Sequence, residues 1–133
     1  MKFLGKKYEG NKNKNICDSF KHAYDGIIYA ATKERNMHIH LLVATIVVIG
    51  GIIFSISYIE WLICLILIGL VLSLELLNTA LETVVDMITT KEDPKAKIAK
   101  DAAAGAVLII SGVAAVVGVI IFLPKIFNFL MSL

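Results

Sequence analysis

Residues 75–86 read ELLNTALETVVD, setting Glu75, Glu82 and Asp86 within an otherwise apolar stretch. On a helix of 3.6 residues per turn, Glu82 and Asp86 fall within about 20° of Glu75. Asn78 lies about 60° to one side and Thr79 about 40° to the other. The opposite face is Leu76, Leu77, Leu81, Val84 and Val85. One stripe thus gathers three carboxylates, an amide and a hydroxyl. Charged acids within a membrane span cost at least about 2.5 kcal/mol each and as a rule serve function. Two kinds of chemistry suit the stripe. A carboxylate such as Glu75 can act as a general base. A hard divalent cation, magnesium or calcium, would relieve the mutual repulsion of the acids. The plainer alternative is that these groups hydrogen-bond between helices as polar glue.

Two further segments carry candidates. In KIAKDAAAGAVLI, residues 97–109, Asp101 is placed to cap a helix and Lys100 to snorkel to the surface. Lys100 could equally supply the positive charge that a phosphate needs beside so many acids. The small residues that follow (Ala102, Ala103, Ala104, Gly105 and Ala106) allow close helix contact. In KERNMHIH, residues 33–40, Arg35, His38 and His40 suit interfacial anchoring, and the two histidines do not share a helical face for metal binding. Glu34 is at the level expected for Glu82, and a metal shared by the two would account for both.

The elements that must position these groups follow from composition. Of 133 residues, 58% are hydrophobic and 18% charged, with a mean hydropathy of +0.81. A soluble domain carries about a quarter charged residues, so the chain is expected in a membrane as a single domain. Three apolar segments are long enough to span, and a chain with so few candidate strands must cross as helices. The expected architecture is all-α: a basic tail over 1–15, a surface helix over 16–34, and spans over about 37–59, 61–90 and 99–123, all within one unit from 16 to 133. Phe20, Ala23, Tyr24, Ile27, Ile28 and Ala31 recur at helical spacing, which makes the first helix amphipathic and suited to the interface.

Of the thirteen lysines and arginines, eight precede Leu41 and four lie between Lys91 and Lys100. The positive-inside rule therefore predicts a cytoplasmic N-terminus and a cytoplasmic connection between the second and third spans. If hydrocarbon begins near Trp61, Glu75 lies roughly 21 Å along its helix, some 9 Å short of the cytoplasmic surface of a core about 30 Å thick. Glu82 then falls near that surface and Asp86 beyond it. The stripe begins in lipid and climbs out.

These residues resemble the prokaryotic diacylglycerol kinase family of integral membrane lipid kinases. The matching blocks are SFKHAYDGI (19–27), ERNMHIH (34–40), ELLNTALETVVD (75–86) and AKDAAAGAVLI (99–109). The ERNMHIH form is most similar to the Gram-positive branch, whose members include undecaprenol kinases. The resemblance implies a homotrimer in the bacterial cytoplasmic membrane, using Mg2+ and ATP to phosphorylate a lipid alcohol on the cytoplasmic face. That alcohol would be undecaprenol, giving undecaprenyl phosphate, or alternatively diacylglycerol, giving phosphatidic acid. It further implies Glu75 as catalytic base and Glu34 with Glu82 as magnesium ligands. Asn78 and Asp86 would support the site, and Lys100, Asp101, His22, Glu92 and Asp93 would lie toward the nucleotide. At Glu92-Asp93-Pro94 the chain departs from the Tyr-His-Pro-like stretch common in the family.

Other classes fit less well. A net charge of +2 gives no reason to expect a nucleic-acid partner. No GxxxxGK[ST] loop is present, so this is not a P-loop enzyme. Cys17 and Cys64 have no metal-binding spacing and no disulfide pattern. An ion-coupled transporter would need charge near the midplane on a path open to both sides, whereas these acids cluster toward one face. A non-enzymatic subunit using the acids for assembly is the remaining alternative.

Overall fold

The computed structural model describes residues 16–89 and 93–132; the expected basic tail and Glu92 lie outside them. Four helices follow in order: α1 (Ile16–Lys33), α2 (Arg35–Ile53), α3 (Tyr58–Ile88) and α4 (Pro94–Met131). The last three are long and apolar enough to cross a membrane. At 1.5 Å per residue α2 measures about 28 Å, close to one hydrocarbon thickness, while α3 and α4 reach about 46 and 57 Å. Their excess length carries the charged residues of the 82–101 region.

The first connection departs from the sequence-based expectation. The apolar run was expected to continue to residue 59 with a break at Glu60, but α2 ends at Ile53 and α3 starts at Tyr58. The turn at Phe54–Ser57 holds two serines but no charge, and Phe54 and Ile56 carry the uncharged run across it. Local chemistry makes it. Ser55 adopts a left-handed backbone with φ 47°. Ser57 then caps α3 in a reciprocal box, its hydroxyl accepting from Glu60 N at 3.3 Å while Glu60 Oε2 accepts from Ser57 N at 2.7 Å. Glu60 is thus a helix-starting residue, not a loop charge.

The start of α4 differs likewise. Asp101 was expected as its cap, but Asp93 is the cap, accepting from Lys95 N at 2.7 Å and Ala96 N at 3.2 Å. Pro94 at the first helical position needs no hydrogen-bond partner for its nitrogen, which favours this earlier start. Asp101 lies two turns into the helix. Nor does the helix stop near Leu123: Pro124 is accommodated within it and α4 continues to Met131.

Packing is concentrated on the antiparallel pair α3 and α4. Along α3 the buried residues are Cys64, Val71, Glu75, Asn78 and Thr79, a seam on which Glu75 follows Val71 by one turn and Asn78 and Thr79 follow Glu75 by one turn. Glu75 is buried because it continues the line of Val71. At the far end of the bundle Ile56, Cys64 and Ile121 form a small core, with Trp61, Phe54 and Phe122 packed on it. Gly51 is required there, because a Cβ would come within 2.7 Å of the Trp61 ring. Most of the remaining helix surface is exposed Leu, Ile and Val. Such a surface suits lipid or other subunits rather than water.

Candidate active site

The site grows from the seam of α3. Glu75 has only 2% of its surface exposed, Asn78 3% and Thr79 8%; Glu82 is half-buried and Asp86 exposed. The stripe anticipated from helical spacing therefore exists, and it runs from the protein interior to the surface. Asn78 Nδ2 donates to Glu82 Oε1 at 3.2 Å, one turn along. Asn78 Oδ1 and Thr79 Oγ1 are buried with no hydrogen-bond partner among the described residues. Uncompensated buried polar atoms cost about 1–3 kcal/mol each, so a protein retains them where a ligand is to be met.

α2 closes over the stripe. Glu34 stands at its N-cap position with extended backbone, φ −94° and ψ 121°, yet its side chain makes no capping hydrogen bond. The carboxylate is left available, and with Glu82 it lies within electrostatic range of Glu75. The structure thus brings Glu34 within electrostatic range of the stripe at Glu75. Among the described residues no three His, Cys, Asp or Glu side chains gather into a ready-made metal cage. A pair of carboxylates is the arrangement suited to magnesium, which keeps several waters and takes the rest of its ligands from phosphates.

Two neighbours of Glu75 escaped the sequence reading as site residues. His40 Nε2 lies 3.8 Å from Glu75 Oε2, with the histidine only 18% exposed. Asn36 brings its side-chain amide beside the same carboxyl. The two are four apart on α2 and so share a face, the one signal that could have paired them. From sequence His40 reads as an interfacial anchor beside Arg35 and His38, and nothing within its own segment links it to Glu75.

At the outer end of the stripe, Lys100 Nζ meets Asp86 Oδ1 at 2.5 Å and ties α4 to α3. Asp101 pairs with Lys97 at 2.6 Å, both well exposed. Asp93 is occupied as the cap of α4. His22 is exposed on α1 and makes no hydrogen bond or ion pair among the described residues. Of the described residues assigned to support the site or to lie toward a nucleotide, Asn78, Asp86 and Lys100 are joined to the stripe or its end by a contact, while His22, Asp93 and Asp101 are not.

A cavity of about 380 Å³ lies between α2, α3 and α4. Its walls are apolar apart from His40, Ser111 and Cys64, and it extends from His40 to Phe122. Ser111 Oγ is buried there with no hydrogen-bond partner among the described residues.

The fold is a bundle with three helices able to cross a membrane and a seam of acids that runs from its interior to its surface. The family profile of prokaryotic diacylglycerol kinase matches residues 21–122. An undecaprenol kinase of Bacillus subtilis (strain 168) is 49% identical over 115 residues, 86% of this chain and 94% of that one. A diacylglycerol kinase of Synechocystis sp. (strain ATCC 27184 / PCC 6803 / Kazusa) is 38% identical over 115 residues, 86% of this chain and 66% of its own length. The chain belongs to the prokaryotic diacylglycerol kinase family and is a lipid kinase.

Proposed function

We propose that the protein transfers the γ-phosphoryl group of Mg-ATP to undecaprenol at the cytoplasmic face of the bacterial membrane. The observation that carries this reading is Glu75, 2% exposed at the inner end of a stripe whose outer end, Asp86 and Lys100, meets water. A lipid hydroxyl approaches such a residue from the bilayer and ATP from the cytosol. Glu75 takes the hydroxyl proton as the oxygen forms its bond to the γ-phosphorus, and ADP leaves with the bridging oxygen. Phosphoryl transfer demands positioning and charge neutralisation rather than a covalent protein intermediate, which matches a site without a nucleophile.

Glu34 and Glu82 would hold magnesium, and their hard oxygen donors on two different helices fit it. The ion when bound would neutralise charge on the phosphates. Asn78 keeps Glu82 in place through its amide. Lys100, held at the end of the stripe by Asp86, is the cation nearest the incoming phosphates, and Asp101, Asp93, Glu92 and His22 complete the nucleotide side in this reading. The cytoplasmic orientation rests on the lysine and arginine asymmetry, and α1 lies in that interface with Phe20 and Tyr24 toward lipid. A homotrimer accounts for the exposed apolar flanks and would shelter the stripe.

Undecaprenol is favoured over diacylglycerol by the relative at 49% identity and by the cavity below His40. Diacylglycerol carries two ester groups, and an ester carbonyl buried without a donor costs a few kcal/mol. Those walls offer few donors; an isoprenoid chain needs none. The relative at 38% identity keeps diacylglycerol as the second reading. Purified protein in detergent, given labelled ATP, magnesium and each lipid in turn, tests both. Undecaprenyl phosphate is expected as the faster product. Transfer to neither lipid would sink the reading, and preference for diacylglycerol would replace it with the second.

A further inference from the structure

We propose that His40 is a second substrate-contacting residue, donating its Nε2 hydrogen to the lipid hydroxyl oxygen that Glu75 deprotonates. This rests on the lipid kinase reading above and extends it to a residue outside the acid stripe. Three observations converge on His40. Its Nε2 is 3.8 Å from Glu75 Oε2, just too far for a direct hydrogen bond between them. It belongs to the wall of the apolar cavity that runs past Leu72 and Val71, the residue one turn before Glu75, toward Phe122. It is held at 18% exposure on α2, where Asn36, one turn earlier, stands beside the same carboxyl.

The separation is the telling quantity. One oxygen placed about 2.8 Å from both Nε2 and Oε2 makes two good hydrogen bonds, with an angle of about 85° between them. A lipid hydroxyl fits that position with each valence used. Its hydrogen points to Glu75, one lone pair accepts from His40, and its carbon continues into the cavity. The second lone pair is left to attack phosphorus. In the transfer step the O–H bond breaks toward Glu75 and the O–Pγ bond forms. The bond from Pγ to the bridging oxygen of ATP breaks, and ADP carries away that electron pair. His40 enters with its proton and keeps it. Its work is orientation: without that donor the hydroxyl can turn its hydrogen away from Glu75, and a misplaced reacting group loses about 100-fold in rate.

The cavity supplies the direction of approach. Ser111 to Phe122 on α4 spans about 16 Å of helix along it, all on the side of His40 away from the charged end of the stripe. A single hydrocarbon chain lying there brings its terminal hydroxyl up to His40. Beyond His40, the polar side chains among the described residues lining it are Ser111 and Cys64.

The test is steady-state kinetics of the full-length protein in mixed micelles, with undecaprenol and diacylglycerol assayed in parallel. His40→Ala is expected to lower kcat about 100-fold on the preferred lipid, with the KM for Mg-ATP unchanged. His40→Gln, which restores an N–H donor of similar reach, is expected to recover most of that loss. His40→Phe fills the same space without a donor and is expected to behave like His40→Ala. A kcat within twofold of wild type in His40→Ala overturns the proposal, as does recovery in His40→Phe or a loss that falls on the KM for Mg-ATP. Failure of the substrate reading shows separately, in the wild-type preference between the two lipids. The His40 comparison is then scored on whichever lipid is used.

Discussion

The two ends of α3 each carry acids, in opposite circumstances. At its start Glu60 is fully engaged: one carboxylate oxygen takes the Ser57 amide at 2.7 Å and the other takes Lys125 at 3.1 Å. Just past the middle of the helix Glu75 is far more buried, yet the neighbouring His40 Nε2 stands 3.8 Å from its Oε2. Asn78 and Thr79 beside it leave buried oxygens without a partner among the described residues. An acid with both of its oxygens engaged in this way serves to hold the turn and clasp α4. An acid retained in the interior with unmet neighbours is a site waiting for one. The contrast separates structure from chemistry better than burial does, since both acids sit on the same helix.

Breaking the contrast starts with Glu75→Gln, which keeps shape and removes the base. The expected loss in kcat is about 10³-fold with the KM for ATP nearly unchanged, read from single-turnover and steady-state rates. Full activity in that variant would remove Glu75 from the reaction. Next in size are Glu34→Gln and Glu82→Gln. Each is expected to raise the magnesium concentration for half-maximal rate by about tenfold or more, since even outer-shell partners of a metal cost that much. A magnesium titration unmoved by both would separate these carboxylates from the metal.

The opposite end should answer in stability instead. Ser57→Ala removes one arm of the capping box and is expected to cost about 1 kcal/mol, seen as a lower Tm in detergent, with kcat unaltered. A fall in kcat at unchanged Tm would show that the two ends are coupled in a way this contrast denies. Smallest of all is Lys97→Ala, which breaks an exposed pair with Asp101 at 2.6 Å. Surface pairs of this kind contribute only tenths of a kcal/mol, so thermal unfolding should shift by less than the scatter between preparations. A clear loss of ATP affinity there would instead mean that the pair holds Asp101 for the nucleotide.

Much of the acid stripe was legible because helical spacing is fixed: once residues 75–86 are a helix, Glu75, Asn78, Glu82 and Asp86 must share a face. The three spanning helices were legible from apolar length, and the amphipathic segment over 16–34 matched α1 to within a residue. The turn at Phe54–Ser57 was not, because it carries no charge, Phe54 and Ile56 continue the apolar run across it, and its signal is a capping box of two side chains. The start of α4 was misjudged for a related reason. Asp93 and Asp101 are both plausible caps by type, and only Pro94 beside the first favours it.

Sequence by itself determined what lies within one helix: the direction of the stripe and the apolar faces. Tertiary structure decided what meets across helices. Only packing of α2 on α3 brings His40 and Asn36 to Glu75, and only the approach of α4 gives Lys100 to Asp86. The physical reason is that intrahelical geometry repeats every 3.6 residues whatever surrounds it. The register of one helix against another depends on the side chains at the whole contact, which no single segment encodes.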